Sequence, residues 1–147
     1  MENLPADWRE FIELLNSHQV KYLVVGGFAV AYHGHPRMTE DIDFFIEPTP
    51  ENAVRVEQVL QAFGFGSLGL TPDDFTSPDR VVQLGYPPNR IDLITSITGS
   101  TFEEAWAGRV AAPLDGIPTN FISRDTLVRN KLATGRSKDK ADVRELP

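Results

Sequence analysis

A chain of 147 residues, 41% apolar and 24% charged, can bury a core of its own and is expected to form one domain over residues 1–147. It has no cysteine, which excludes disulfides and thiolate metal sites, and no apolar run of about 18 residues, which excludes a spanning helix. The net charge of −7 argues against broad nucleic-acid binding, yet five of the 14 Lys and Arg residues lie between Arg129 and Lys140, leaving room for a local basic site. The opening Met1-Glu2-Asn3-Leu4-Pro5 lacks the basic-then-apolar order of a signal peptide, so the expected compartment is the cytoplasm, with no membrane partner.

Along the chain, Trp8, Phe11, Ile12 and Leu15 recur at helical spacing and predict an amphipathic helix over 6–18. The apolar run 21–25 reads as a buried strand that Gly26-Gly27 ends. A short helix over 28–33 follows at once, and His35-Pro36 breaks it. Residues 41–46 form a second strand. Thr49-Pro50-Glu51-Asn52 supplies an N-cap, a first-turn proline and an acid at the positive end of a helix that runs to about Ala62 and stops at Gly64. Residues 64–79 read as a loop with room for one helical turn. Strands 80–84 and 90–94 are joined as a hairpin, and Ser100-Thr-Phe-Glu103 reads as a capping box opening a helix around Trp106. Strands 108–113 and 117–122 flank a turn at Asp115-Gly116. Ser123 caps a helix over 124–134, ended by Gly135, and Ser137 caps a last helix through Leu146. This order predicts an α/β (α+β) fold: a mixed β-sheet flanked by helices, closing on a C-terminal helix pair.

Three features carry chemistry. In Val24-Val25-Gly26-Gly27-Phe28 a strand ends in paired glycines and a helix begins. Glycine admits close backbone approach to a ligand, and a helix start suits phosphate, although a plain tight turn reads the same way. In Asp41-Ile42-Asp43-Phe44 the two acids share one strand face about 6.6 Å apart, with Ile42 and Phe44 turned to the core. Adjacent like charges on one face repel and call for a cation, and Mg²⁺ suits all-oxygen ligands. In Arg90-Ile91-Asp92-Leu93 a lone carboxylate sits between apolar neighbours. It completes a trio if its strand lies beside 41–46. Otherwise it is an edge residue in solvent, or one paired with Arg90 or Lys21.

Gly26-Gly27, a short helix and Arg37-x-Thr39-x-Asp41-Ile42-Asp43 resemble the nucleotidyltransferase superfamily of DNA polymerase beta. More narrowly, the chain resembles small bacterial abortive-infection toxins and minimal nucleotidyltransferases. The stretch from Arg129 to Asp142 is similar to the C-terminal helix pair of those toxin-like proteins. The resemblance implies that Asp41, Asp43 and Asp92 bind Mg²⁺, with Asp92 as base for the attacking hydroxyl, and that Gly26 and Gly27 hold an NTP triphosphate. It implies that Lys131 contacts nucleotide phosphates with Asp139 in support. The implied activity is transfer of an NMP from an NTP onto an acceptor hydroxyl, on an RNA end such as tRNA, a small molecule or a protein. A non-catalytic nucleotide-binding or toxin–antitoxin partner module is the alternative on the same fold. Many members carry Ser beside the first glycine, where this chain has Gly27 and Phe28, and no second substrate domain is evident. The acceptor site is left to a homodimer, a partner protein or the C-terminal helices.

Secondary candidates are Thr39 for phosphate or sugar, Arg37 for the leaving pyrophosphate, and Arg136 with Lys138 for a phosphate or RNA patch. Solvated loop positions or helix-end cations explain the same residues. Asp139 and Asp142 share a helical face and either orient Lys131 or Arg136, or pair with Lys138. His33 and His35 suit local hydrogen bonds better than zinc. Trp8, Phe11, Phe63, Phe65 and Trp106 read as core rather than as base-stacking surface.

Overall fold

The computed structural model describes residues 4–35 and 39–147. Its strands, β1 (Tyr22–Val25), β2 (Asp41–Ile46), β3 (Val81–Leu84), β4 (Arg90–Ile94), β5 (Val110–Leu114) and β6 (Ile117–Phe121), form one six-stranded sheet in the order β3-β4-β2-β1-β6-β5. β1 runs antiparallel to β2 and parallel to β6, whereas β2 and β4 run parallel. The hairpins β3–β4 and β5–β6 supply the two edges. The sheet is therefore mixed, as the order of elements predicts.

Alternation along the strands decides what covers each face. Tyr22, Phe44 and Ile46 share one face, on which α1 (Ala6–Ser17) and α3 (Pro50–Phe63) pack. Phe11 of α1 meets Phe44 and Phe63 with ring centroids 5.6 and 5.1 Å apart. On the opposite face Phe45 meets Phe102 of α4 (Phe102–Ala107) edge-on at 5.0 Å. That same face carries Asp41 and Asp43 further along β2, where no apolar helix stripe covers them. Trp8 and Phe11 are buried, and Phe63, Phe65 and Trp106 pack partly buried against the core, as expected of them.

The helix ends refine the sequence reading. Thr49 accepts from the Asn52 amide and Ser123 from the Thr126 amide, both as caps. The capping box at α4 is Thr101 with Glu104, one residue later than Ser100 with Glu103, since a start at Phe102 turns Phe102 and Ala105 inward. α5 (Arg124–Thr134) is followed by α6 (Ser137–Glu145), in which Arg136, not Ser137, holds the cap position without a side-chain bond. Between α3 and β3 the loop carries two 3₁₀ turns, at Gly66–Leu68 and Pro72–Phe75, where one helical turn was expected. α2 (Gly26–Tyr32) begins on the glycines themselves rather than after them.

Candidate active site

The pairing of β2 with β4 builds the site. Asp41 lies opposite Arg90 and Asp43 opposite Asp92, so four side chains form a square on one sheet face. One oxygen from each of Asp41, Asp43 and Asp92 lies within 4.8 Å of the others. Burial first, and then the charges of Asp41 and Asp92, push the Asp43 carboxyl up to about 7. The fourth corner is a cation. Arg90 donates from Nε to Asp92 Oδ1 at 2.9 Å, and from Nη2 to Asp92 Oδ2 at 3.0 Å and Asp41 Oδ2 at 2.8 Å. The sequence offered Arg90 only as one partner for Asp92, and its span of both carboxylates went unforeseen. The usable signal was its position two residues before Asp92, on the same strand face. Lys21 pairs instead with Glu47, at 3.8 Å.

Gly26 is fixed to the site twice over. Its φ of +68° lies in the left-handed region, and a Cβ there would fall 2.0 Å from Asp43 Oδ2. The backbone of the strand–helix turn thus passes directly against the acidic trio.

A cavity of about 630 Å³ opens over the square. Gly26, Gly27, Thr39 and Glu40 line it beside Asp41, Asp43, Asp92 and Arg90. Lys131, Arg136, Lys138 and Asp139, from α5, α6 and the turn between them, form the facing wall. Of the residues singled out in the sequence, Gly26, Gly27, Thr39, Asp41, Asp43, Asp92, Lys131, Arg136 and Lys138 share this one cavity. Arg37 lies outside the described residues.

The facing wall rests on a buried ion network. Lys131 Nζ lies 3.0 Å from Asp139 and 3.4 Å from Asp142, and all three residues are buried. Thr134 Oγ1 and Arg136 Nε each donate to Asp139 Oδ2 at 2.6 Å. Burial alone would raise the Asp139 carboxyl, but the bonds from Thr134, Lys131 and Arg136 outweigh it and hold the group down at about 2. Asp139 therefore ties α5 to α6. Arg136 and Lys138 remain exposed at the cavity mouth. His33 Nε2 lies 2.7 Å from the Ile122 carbonyl, a local hydrogen bond of the expected kind.

The fold belongs to the nucleotidyltransferase class. The Thermotoga maritima protein TM1012, itself an inferred nucleotidyltransferase, superposes with a TM-score of 0.63 at 16% identity, over 93% of this chain and 88% of its own. The antibiotic-resistance factor ANT(2″)-Ia, solved in complex with adenylyl-2″-tobramycin, gives a TM-score of 0.58 at 14% identity, over 95% and 84%. An antigenic nucleotidyltransferase-like protein of Paracoccidioides brasiliensis gives 0.55 at 20%, over 95% and 72%. A comparison with curated proteins finds none that matches. Residues 6–146 match the family described as nucleotidyltransferases of unknown function (DUF6036), and the chain belongs to that family.

Proposed function

We propose that the chain transfers an NMP from a Mg²⁺-bound NTP onto an acceptor hydroxyl in this cavity. One observation carries the reading. Three carboxylates within 4.8 Å of one another form the floor of a cavity whose facing wall presents Arg136 and Lys138. A ligand that satisfies both surfaces has to bring cationic and anionic groups together, as a divalent ion on a triphosphate does.

The donor set suits a hard divalent cation. All three donors are oxygens, and the pressure that lifts Asp43 to about 7 is relieved by positive charge placed between them. Bound there, Mg²⁺ would supply charge stabilisation to the attacking and leaving oxygens. The chain's own groups do the rest. Gly26 and Gly27 let the phosphates approach the floor, and Thr39 borders the same space. Arg136 and Lys138 neutralise the outer phosphates, and Lys131 with Asp139 and Asp142 holds the α5–α6 wall at the right distance. Asp92 takes the proton of the acceptor hydroxyl, whose oxygen forms a bond to the α-phosphorus as the bond to pyrophosphate breaks. Positioning and charge stabilisation account for most of the rate.

ANT(2″)-Ia is described with an adenylylated tobramycin, which points to a small hydroxylated acceptor. The net charge of −7 favours such a molecule over a long RNA. A reaction that draws on NTP and Mg²⁺ fits the cytoplasm, and no described helix is long and apolar enough to cross a membrane. A nucleotide-binding module of a toxin–antitoxin pair is the second reading. It is favoured by Phe28, which is buried and puts no hydroxyl beside the glycines. The test is incubation with Mg²⁺ and each labelled NTP, together with tRNA, aminoglycosides or the protein itself as acceptor. Transfer that disappears in Asp43→Asn supports the enzyme. Nucleotide binding without transfer to any acceptor moves the assignment to the module.

A further inference from the structure

Arg90 occupies the fourth corner of the square and accounts for three of its hydrogen bonds. Resting on the reading above, we infer that Arg90 is a built-in counter-ion that holds the carboxylates in the absence of metal and makes tight metal binding conditional on nucleotide. The guanidinium fork engages both oxygens of Asp92 and one of Asp41. Two of the three groups that would hold the ion thus already share one guanidinium charge from the same strand pair. A divalent ion binds such oxygens at roughly 2.1 Å. Its charge and that of the guanidinium repel each other when both crowd these oxygens, so each weakens the hold of the other.

Displacement is open to Arg90 because it is not locked in place. Its side chain is 25% exposed and that of Asp41 33%, so water reaches both partners. Arg90 also borders a second cleft of about 380 Å³ lined by Phe65, Tyr86 and Pro87, which leaves open space near the residue on a side away from the acids. It lines the main cavity together with Gly26 and Gly27, where the triphosphate of the proposed substrate would lie. An NTP offers the displaced guanidinium new anionic oxygens, and a fork of this geometry pairs well with phosphate. The free ion meets the competing cation with nothing to offer it. The nucleotide-bound ion brings the replacement partner along. Affinities for metal and nucleotide are then coupled through Arg90, and the coupling is reciprocal.

The test uses Mn²⁺ as probe, counted as free aqueous ion by electron paramagnetic resonance at pH 8, with and without a non-hydrolysable methylene analogue of ATP. The proteins are wild type, Arg90→Gln, Arg90→Lys and Asp43→Asn, each checked for native circular dichroism. Arg90→Gln is expected to bind Mn²⁺ alone about tenfold more tightly than wild type, the scale of a lost charge-assisted bond pair. The analogue should tighten Mn²⁺ binding strongly in wild type and only weakly in Arg90→Gln. Arg90→Lys keeps the charge and loses the fork, and should fall between them. Equal or weaker Mn²⁺ binding in a folded Arg90→Gln overturns the counter-ion role while leaving the metal reading intact. Absence of Mn²⁺ binding in wild type and Arg90→Gln alike, with the analogue present, removes both.

Discussion

Asp43→Asn should make the metal-free protein more stable while abolishing nucleotidyl transfer. The Asp43 carboxyl stands at about 7 in the folded chain against an ordinary 3.8, through burial first and then the neighbouring charges of Asp41 and Asp92. Below pH 3.8 it is protonated whether the chain is folded or not, and the site costs nothing. From 3.8 to about 7 only the folded chain holds the proton, so stability declines as pH rises, and above about 7 the full cost is present. A rise of that size corresponds to about 4 kcal/mol for an isolated group. The trio titrates as a unit, and Arg90 and solvent absorb part of the repulsion. The expected gain on removing the charge is therefore about 1–2 kcal/mol at pH 8. For a domain of this size that raises Tm by roughly 3–8 °C. The assay is urea and thermal unfolding of wild type and Asp43→Asn at pH 8 and pH 5 in EDTA, repeated with Mg²⁺. The variant should be the more stable at pH 8 in EDTA, the difference should shrink at pH 5, and Mg²⁺ should stabilise wild type alone. A variant no more stable than wild type at pH 8 without divalent ions would refute the claim that the trio is held together against its own repulsion.

Gly26→Ala should destabilise the fold by about 2 kcal/mol or more, read by urea unfolding, because it combines a positive φ with a methyl group driven into the Asp43 carboxylate. Lys131→Ala leaves Asp139 and Asp142 buried without that cation and should cost about 3 kcal/mol in the same assay. Lys138→Ala, at an exposed position, should change stability by less than about 0.5 kcal/mol while raising KM for the NTP several-fold. Asp139, held down at about 2, contributes stability that is complete above pH 4 and is lost as pH falls through 2. Asp139→Asn should therefore flatten the acid limb of the unfolding profile followed by tryptophan fluorescence.

The parts of this fold legible in the sequence are those decided locally. Thr49-Pro50 and Ser123 start their helices with the expected side chains, and Gly64 and Gly135 end theirs in the left-handed conformation. Alternation in Asp41-Ile42-Asp43-Phe44 shows which face is acidic without any knowledge of the neighbouring strands. The register of β2 against β4 depends on residues 49 positions apart, and nothing near Asp92 fixes it; only the apolar flanks of Asp92 hinted at burial. Arg90 was harder still, since its partners come half from its own strand and half from β2. Ser100 with Glu103 and Thr101 with Glu104 satisfy the same pattern, and packing of Phe102 decided between them. Lys131 was read from resemblance as a phosphate ligand supported by Asp139; it lines the cavity, and its amine also pairs with both Asp139 and Asp142. The sequence shows the charge, while the pairing belongs to the docking of α6 on α5.

The two walls of the cavity obey opposite rules of charge management, and that contrast bears on function. On the α5–α6 side, Lys131, Thr134 and Arg136 all converge on Asp139, and no buried polar side-chain atom among the described residues lacks a partner. That is how a structural ion network is built, and it holds two short helices that carry little apolar surface of their own. On the sheet side three acids meet one arginine, and the imbalance remains after every internal bond is made. A fold under selection for stability alone would replace Asp43, whose raised carboxyl marks the uncompensated charge, with a residue that packs. Its place within reach of Gly26, where a single added methyl would collide with it, fits a site built for the approach of a ligand. On the proposed function, the ligand that relieves this strain is a cation, and the exposed Arg136 and Lys138 across the cavity favour its arrival with anions. The Arg90 fork sits between these two demands, and a metal–nucleotide complex answers both in one binding event.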